Sequence, residues 1–296
     1  MIGEASSVRT TGGAGEDHEP AAHYDRVHDA WRLIMGEEFH YGYFATPDVP
    51  LAQATATLTE QMRERAAITA GDRVLDVGCG TGRQACDLAA ELGARVTGIT
   101  TSGRGVEAAT ELAAARGVEN ARFERRDGMD NGFEGESFDV VWALESSHLM
   151  RDRPALLSEC ARVLVGDGRL VLCDIIRRRE ISFAEVRERR ADFAVLREVF
   201  GDAHMEPLDA YDATLEGQGM TVTDSTDITE RTQPTFGAWR ANIGAHEAAL
   251  RDLIGPERTE AFVEATNILE SFWLDGTLGY GILAAVKRPD TPPATE

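Results

Sequence analysis

Residues 74–82 read Val-Leu-Asp-Val-Gly-Cys-Gly-Thr-Gly, and Arg83 opens a run rich in Ala, Leu and Glu. An apolar strand here runs into a turn built on Gly78, Gly80 and Gly82, and a helix follows. Glycine lets the backbone take positive φ and lets a ligand lie directly against it. The helix start adds unpaired N–H groups, so the unit suits a nucleotide-like cofactor. Spacing then narrows the choice. A dinucleotide fingerprint, GxGxxG, would need its third glycine at position 83, which is arginine. No Gly-Lys-Ser/Thr follows, which excludes a P-loop. What stands there is GxGxG with an acid, Asp76, two residues before the first glycine.

Outward from this unit the chain alternates in a regular way. Strands are predicted over Arg73–Val77, Arg95–Thr100, Ala121–Arg125, Phe138–Ala143 and Gly168–Ile175, with helices over Arg83–Leu92, Gly103–Arg116 and Pro154–Leu164. Strands alternating with helices of this length imply right-handed crossovers and a parallel sheet covered on both faces, an α/β, doubly wound fold. The pattern changes after Arg177. A charged helical stretch reaches Gly217, a strand is expected over Met220–Asp227, a second helical insertion runs to Asp275, and Leu278–Val286 closes as an apolar strand. Helices over Tyr24–Met35 and Ala52–Ala67 precede the core. The organisation expected is a disordered tail (1–20), a helical lid (21–70), a cofactor-binding core (71–176), the rest of the sheet with helical substrate-cap insertions (177–288) and a frayed end (289–296).

Composition bounds the partners. Of 296 residues, 51 are Asp or Glu and 30 are Lys or Arg, a formal net charge of −21. That argues against sequence-independent binding of nucleic acid or anionic membrane, which needs a basic surface. The first twenty residues have no apolar leader core, and no run of ~18 apolar residues occurs. Four scattered cysteines form no CxxC pair, and seven histidines form no ligand constellation, so no metal is expected. The reading is a reduced, cytoplasmic protein.

The stretch DVGCGTG at a strand end resembles the class I S-adenosylmethionine-dependent methyltransferases, and further matches follow in order. They are VTGITTS (96–102), RRDGMD (125–130), FDVVWALESSHLM (138–150) and RVLVGDGRLVLCDI (162–175). MGEEFHYGYF (35–44) and LESSHLMRDR resemble the small-molecule branch of natural-product pathways, whose members act on glycosides, polyketide hydroxyls or prenyl-type carbons. The resemblance implies a seven-stranded, mostly parallel Rossmann-like sheet with lid and cap insertions, S-adenosylmethionine as cofactor and S-adenosylhomocysteine as product. Its acceptor would be a glycoside, polyketide or prenylated metabolite. The segment before residue 50 is a candidate for crossing to another subunit in a homo-oligomer.

By the same resemblance, Asp76 anchors the cofactor end of the first strand, and Gly78, Cys79, Gly80 and Gly82 let the methionine portion approach. Thr100, Thr101 and Ser102 face ribose and adenine, although Ser102 serves equally well as a helix N-cap. Asp127, Gly128 and Met129 hold and stack on the adenine. Glu145 reaches the cofactor amino group or His148. His148 is the general base, a role its ordinary pKa near ~6.5 suits, with Asp152 as a candidate partner. Tyr43, with Tyr41 and His40, closes over the methionine end, and Tyr24 is a further lid candidate. The aromatic residues read equally as core.

Two departures stand out. The acid that usually holds the ribose hydroxyls is replaced by Thr100, and the usual Pro-Gly-Gly turn by Gly166-Asp167-Gly168. Two chemistries follow: O-methylation with His148 as base, or C-methylation through a carbocation. For the second, Trp142, Phe193, Phe200, Phe236, Trp239, Phe272 and Trp273 would supply the apolar pocket and Glu145 the charge. A non-catalytic cofactor-binding protein on the same fold is a remote third reading. The run Arg177–Glu180 reads as a solvated approach to a helix, or as a contact to an anionic substrate.

Overall fold

The computed structural model describes residues 29–289. Both predicted tails and Tyr24 lie largely or wholly outside that range. The described strands are β1 (Arg73–Val77), β2 (Arg95–Thr100), β3 (Ala121–Arg125), β4 (Phe138–Leu144), β5 (Leu164–Arg177), β6 (Met220–Asp227) and β7 (Leu278–Lys287). They form one seven-stranded sheet in the order β3-β2-β1-β4-β5-β7-β6. Pairings from β3 through to β5 are parallel, and β7 runs antiparallel to both β5 and β6. The predicted doubly wound, mostly parallel sheet is therefore present.

The inner strands β1, β2, β4, β5 and β7 are buried on both faces, as an α/β sheet requires, while the edge strands β3 and β6 are largely not. Side chains alternate across a strand. Thus Val74, Val140 and Trp142 join one core cluster, while neighbouring Leu75, Val77 and Val141 join the other. The first face is covered by α1 (Leu51–Ala66), α2 (Arg83–Leu92) and elements of the cap. The second carries α4 (Arg153–Val163), whose Leu156, Leu157 and Cys160 are buried. Between them in sequence, α3 (Gly103–Arg116) starts at an N-cap, Ser102, whose hydroxyl accepts from Gly105 N at 3.0 Å.

Beyond β5 come α5 (Phe183–Glu188), α6 (Arg190–Phe200) and α7 (Leu208–Gly217), then, after β6, α8 (Thr229–Thr232), α9 (Thr235–Ala245), α10 (Glu247–Ile254) and α11 (Pro256–Leu274). The helical stretch 177–217 is not all cap. Tyr211 and Leu215 of α7 are fully buried in the second cluster, so α7 is a sheet-covering crossover into β6. Helices α6, α9, α10 and α11 pack on one another and make the cap.

β5 starts directly after α4, earlier than predicted, because Gly166-Asp167-Gly168 lies within the strand as an irregularity. Asp167 takes φ 62°, and the pairing with β4 shifts register between Phe138 and Val140. Residues 29–35 are helical, and Trp31, Ile34 and Tyr41 join the main core, so the described part of the lid packs on its own chain. Among the described residues no helix is long and apolar enough to cross a membrane, and no cluster of His, Cys, Asp or Glu could hold a metal.

Candidate active site

In an open α/β sheet, ligands bind beyond the carboxyl ends of the strands where the strand order reverses. Here that point lies between β1 and β4. A cavity of about 930 Å³ opens there. Asp76, Gly78, Cys79 and Gly80 line it from the first turn, and Thr100, Thr101 and Ser102 from the end of β2. Asp127, Gly128 and Met129 follow β3, and Glu145 follows β4. These are distant stretches of sequence brought to one edge by the parallel register.

Two glycines show why the turn is built as it is. Gly78 has φ 80°, and a Cβ there would collide with that of Ser146, so the turn packs directly on the strand-four loop. Gly80 has φ 53°, and a Cβ added there would meet nothing within 4 Å, so its backbone is open to the cavity. Gly82 differs from the expectation. It has φ 77° at the start of α2 and abuts Ala109 and Phe123, so it serves helix packing and does not line the cavity.

The acid of the first strand is buried at 3% exposure, and its Oδ2 has no hydrogen-bond partner. Burial pushes its pKa up to about 7. A lone buried carboxyl is costly unless something cationic pairs with it. Gln84, in the first turn of α2, leaves its buried Oε1 equally unpartnered on the same cavity. Two orphaned acceptors beside an open glycine turn fit a ligand with a positive amino-acid end, as S-adenosylmethionine has. Gln84 is a site residue that the sequence reading missed. Its only signal was a polar side chain in the first turn of the helix that follows the glycine turn.

Past β2, Thr100 Oγ1 accepts from Ser102 N at 3.2 Å and retains a proton to donate. The carboxylate of Asp127 accepts the amide of Met129 at 2.9 Å, which holds Met129 on the cavity wall.

Glu145 occupies the left-handed region at φ 46°, a conformation that costs a non-glycine residue on the order of 1 kcal/mol. Its amide donates to Cys173 O at 2.8 Å. Its Oε1 accepts from the amide of Tyr41 and from the hydroxyl of Tyr280, each at 2.6 Å. One carboxylate oxygen thereby ties the lid segment to β7. Burial pushes the Glu145 pKa to about 7, against the opposing pull of His40 and those two hydrogen bonds. On the lid, His40 is buried, with Nδ1 2.8 Å from Tyr41 O and Nε2 3.0 Å from Glu38 Oε2.

His148 sits on a one-turn 3-10 helix, Ser147–Leu149, just after β4. Its Nδ1 lies 2.5 Å from Asp174 Oδ1, and its amide donates to Asp174 Oδ2 at 3.0 Å. Asp174 is fully buried within β5, one residue past its last pairing with β4, and also accepts the hydroxyl of Ser147 at 2.5 Å. Burial opposes both charges, yet mutual attraction prevails: the pKa of His148 is raised and that of Asp174 is lowered. An ionised carboxylate only accepts, so Nδ1 carries a proton and Nε2 is the basic nitrogen of the neutral ring. Nε2 has no hydrogen-bond partner among the described residues. His148 is 6% exposed and is not itself on the lining of the cavity, although Ser146 and Leu149 on either side of it are.

Other expectations are corrected. Asp152 does not orient His148; it caps α4, accepting the amide of Ala155 at 2.9 Å. Tyr43 does not line the cavity. Its ring lies 5.8 Å from the Arg231 guanidinium, and its amide is held by Ala54 O at 2.8 Å. Tyr41 is core as well, stacked on Trp273 at 5.3 Å with a 2° interplanar angle. Trp142, Phe236, Trp239, Phe272 and Trp273 are buried core, and Phe193 and Phe200 pack against it. None of these aromatic residues lines the cavity.

Known proteins agree with this geometry. Residues 74–168 match a family described as a methyltransferase domain. The 27-O-demethylrifamycin SV methyltransferase of Amycolatopsis mediterranei is 34% identical over 270 residues, covering 90% of this chain and 96% of that protein. This chain belongs to the S-adenosylmethionine-dependent methyltransferases. Methyltransferase GfsG of Streptomyces halstedii is 36% identical over 222 residues, covering 73% of this chain and 78% of that one. Among solved structures, the [4+2]-cyclase SpnF superposes with a TM-score of 0.77 at 26% identity, over 91% of this chain and 96% of that one. The mycolic acid cyclopropane synthase CmaA1, in complex with S-adenosylhomocysteine, superposes with a TM-score of 0.80, covering 90% and 96%. At 21% identity that second likeness bears on the fold alone. The methyltransferase takes S-adenosylmethionine as its cofactor.

Proposed function

We propose that this methyltransferase transfers a methyl group to a hydroxyl of a small natural product, with His148 as general base and Asp174 holding it. The observation that carries the reading is the buried His148–Asp174 pair at 2.5 Å, which leaves Nε2 without a partner among the described residues. Bound S-adenosylmethionine supplies an electrophilic methyl on a sulfonium that is already a competent leaving group. The protein's work is then to align the acceptor and remove its proton. Asp174 keeps the His148 ring in the tautomer that accepts at Nε2 and stabilises the imidazolium once the proton has arrived.

Asp76, Gly78, Cys79, Gly80 and Gln84 would hold the amino-acid end of the cofactor. Thr100, Thr101 and Ser102 would hold the ribose, and Asp127, Gly128 and Met129 the adenine. Thr100 offers a neutral hydrogen bond where a carboxylate would offer a stronger, charge-assisted one. Glu145 Oε2, without a partner among the described residues, is left to meet the cofactor amino group. A natural-product acceptor with a hydroxyl is supported by the relative named 27-O-demethylrifamycin SV methyltransferase. The C-methylation reading keeps the Glu145 carboxylate in its favour, but its aromatic walls are buried in the core.

Calorimetry with S-adenosylhomocysteine, and product masses from S-adenosylmethionine with a panel of hydroxylated, glycosylated and prenylated metabolites, test this reading. Binding plus a gain of one methylene on a hydroxyl supports it. Failure to bind S-adenosylhomocysteine, or methylation at carbon, overturns it.

A further inference from the structure

The part of the cavity built by the turn after β4, by α6 and by α10 differs from the cofactor end. Its wall is apolar at Phe39, Leu149, Leu253 and Ile254, and it carries two arginines, Arg151 and Arg197. Both guanidinium groups turn to one acid. Arg151 Nη2 donates to Asp202 Oδ2 at 3.2 Å, and Arg197 Nε lies 3.6 Å from Asp202 Oδ1. His204 Nε2 lies 3.8 Å from the same carboxylate. Two permanent cations thus share one anion, in a chain whose net charge is −21.

Two arginines nearby are better satisfied. Arg189 donates to Asp192, Asp275 and Ser271, and Arg179 donates to Glu185, to Thr277 and to a backbone carbonyl. Arg151 and Arg197 have five donors each and make between them one side-chain hydrogen bond among the described residues. The acids on the facing lid are already engaged, Glu37 by Arg32 and Arg83, Glu38 by His40 and Arg83, and Asp29 with a partner of its own. The cluster is also anchored on the proposed base. His204 N–H donates to His148 O at 2.7 Å, and Arg153 Nη2 donates to His204 O at 2.7 Å.

We propose that Arg151 and Arg197 form a subsite for a carboxylate on the acceptor. The substrate class is then a hydroxylated acid with an apolar body: charge on the two arginines, body against Leu149, Leu253 and Ile254, hydroxyl toward His148. Asp202 holds the two guanidinium groups together until the acid arrives. This inference rests on the cavity being the acceptor pocket of the methyltransferase. The side chains of Arg151 and Arg197 are 71% and 49% exposed, so solvent screens them and the preference is a few-fold one.

The test uses octanoate and octanamide, which differ in charge and share an apolar chain, titrated into the full-length protein saturated with S-adenosylhomocysteine. The expected result is about fivefold tighter binding of octanoate at low salt, narrowing as salt is added. In an Arg151→Gln, Arg197→Gln double variant the preference disappears, while octanamide and S-adenosylhomocysteine bind as before. Equal affinity for the two probes, no binding of octanoate, or a preference surviving the double substitution overturns the proposal. A protein that prefers octanoate but does not bind S-adenosylhomocysteine instead overturns the cofactor reading and leaves the anion subsite standing.

Discussion

His148, four residues past the end of β4, and Asp174, within β5 just past its last pairing with β4, meet at 2.5 Å, although they lie 26 positions apart in the chain. The register of β4 on β5 places Leu144 beside Cys173, so the residues just beyond each come together at the sheet edge. Sheet geometry, not local sequence, makes the pair.

Replacing Asp174 with Asn removes the charge that holds the His148 pKa above its ordinary value and leaves burial, which lowers it. His148 accepts a proton only when neutral. The wild-type rate should therefore rise with pH through a midpoint above ~6.5, and Asp174→Asn should move that midpoint to lower pH while reducing the plateau at least ~10-fold. A kcat/KM profile of both proteins checks this. An unchanged acid limb would show that Asp174 does not set the base.

Asp76 and Glu145 bind protons more tightly in the fold than in a free chain, each with a pKa of about 7. The pKa of His148 is also raised. All three make the folded state richer in protons than the unfolded one between pH 5 and 8, so stability without cofactor should fall as pH rises across that window. Thermal melting at pH 5.5 and 7.5 should show the higher Tm at the lower pH. S-adenosylhomocysteine should narrow the difference by giving Asp76 a cationic partner. Asp76→Asn should stabilise the free protein at pH 7.5 and weaken cofactor binding by about 10-fold or more. A variant that binds as tightly as wild type would remove Asp76 from the cofactor site.

Much of this site was legible because it is local. The strand, glycine turn and helix of residues 73–92 need only their own sequence, and the structure has them where spacing placed them. Ser102 was open between two roles, and its hydrogen bond to Gly105 N shows the capping role. What failed was pairing at a distance. Asp152 was a natural partner for His148 by proximity in sequence, but an acid just before Arg153-Pro154 caps the helix instead. The available signal for Asp174 was a lone acid in the apolar run LVLCDII, since a charge at a buried strand end needs a partner. The aromatic residues were open between pocket and core; a helical cap needs its own core, and they build it.

Tyr280→Phe removes one of the two donors that hold Glu145 Oε1 and with it a tie between β7 and the lid. The cost should be about 1–3 kcal/mol in stability, since a buried carboxylate loses a hydrogen bond. The effect on turnover should appear in the KM for S-adenosylmethionine more than in kcat, because the role proposed for Glu145 is to bind the cofactor and not to transfer a proton. Steady-state kinetics with denaturant melts distinguish the two. A kcat effect with unchanged KM would place Glu145 in the chemical step instead.

His148 is proposed to remove the acceptor proton, and methyl transfer by wild type and His148→Ala at saturating S-adenosylmethionine measures that role without intermediaries. In the variant kcat should fall about 10²- to 10⁴-fold, with the affinity for S-adenosylhomocysteine unchanged. Transfer undiminished in His148→Ala would contradict it.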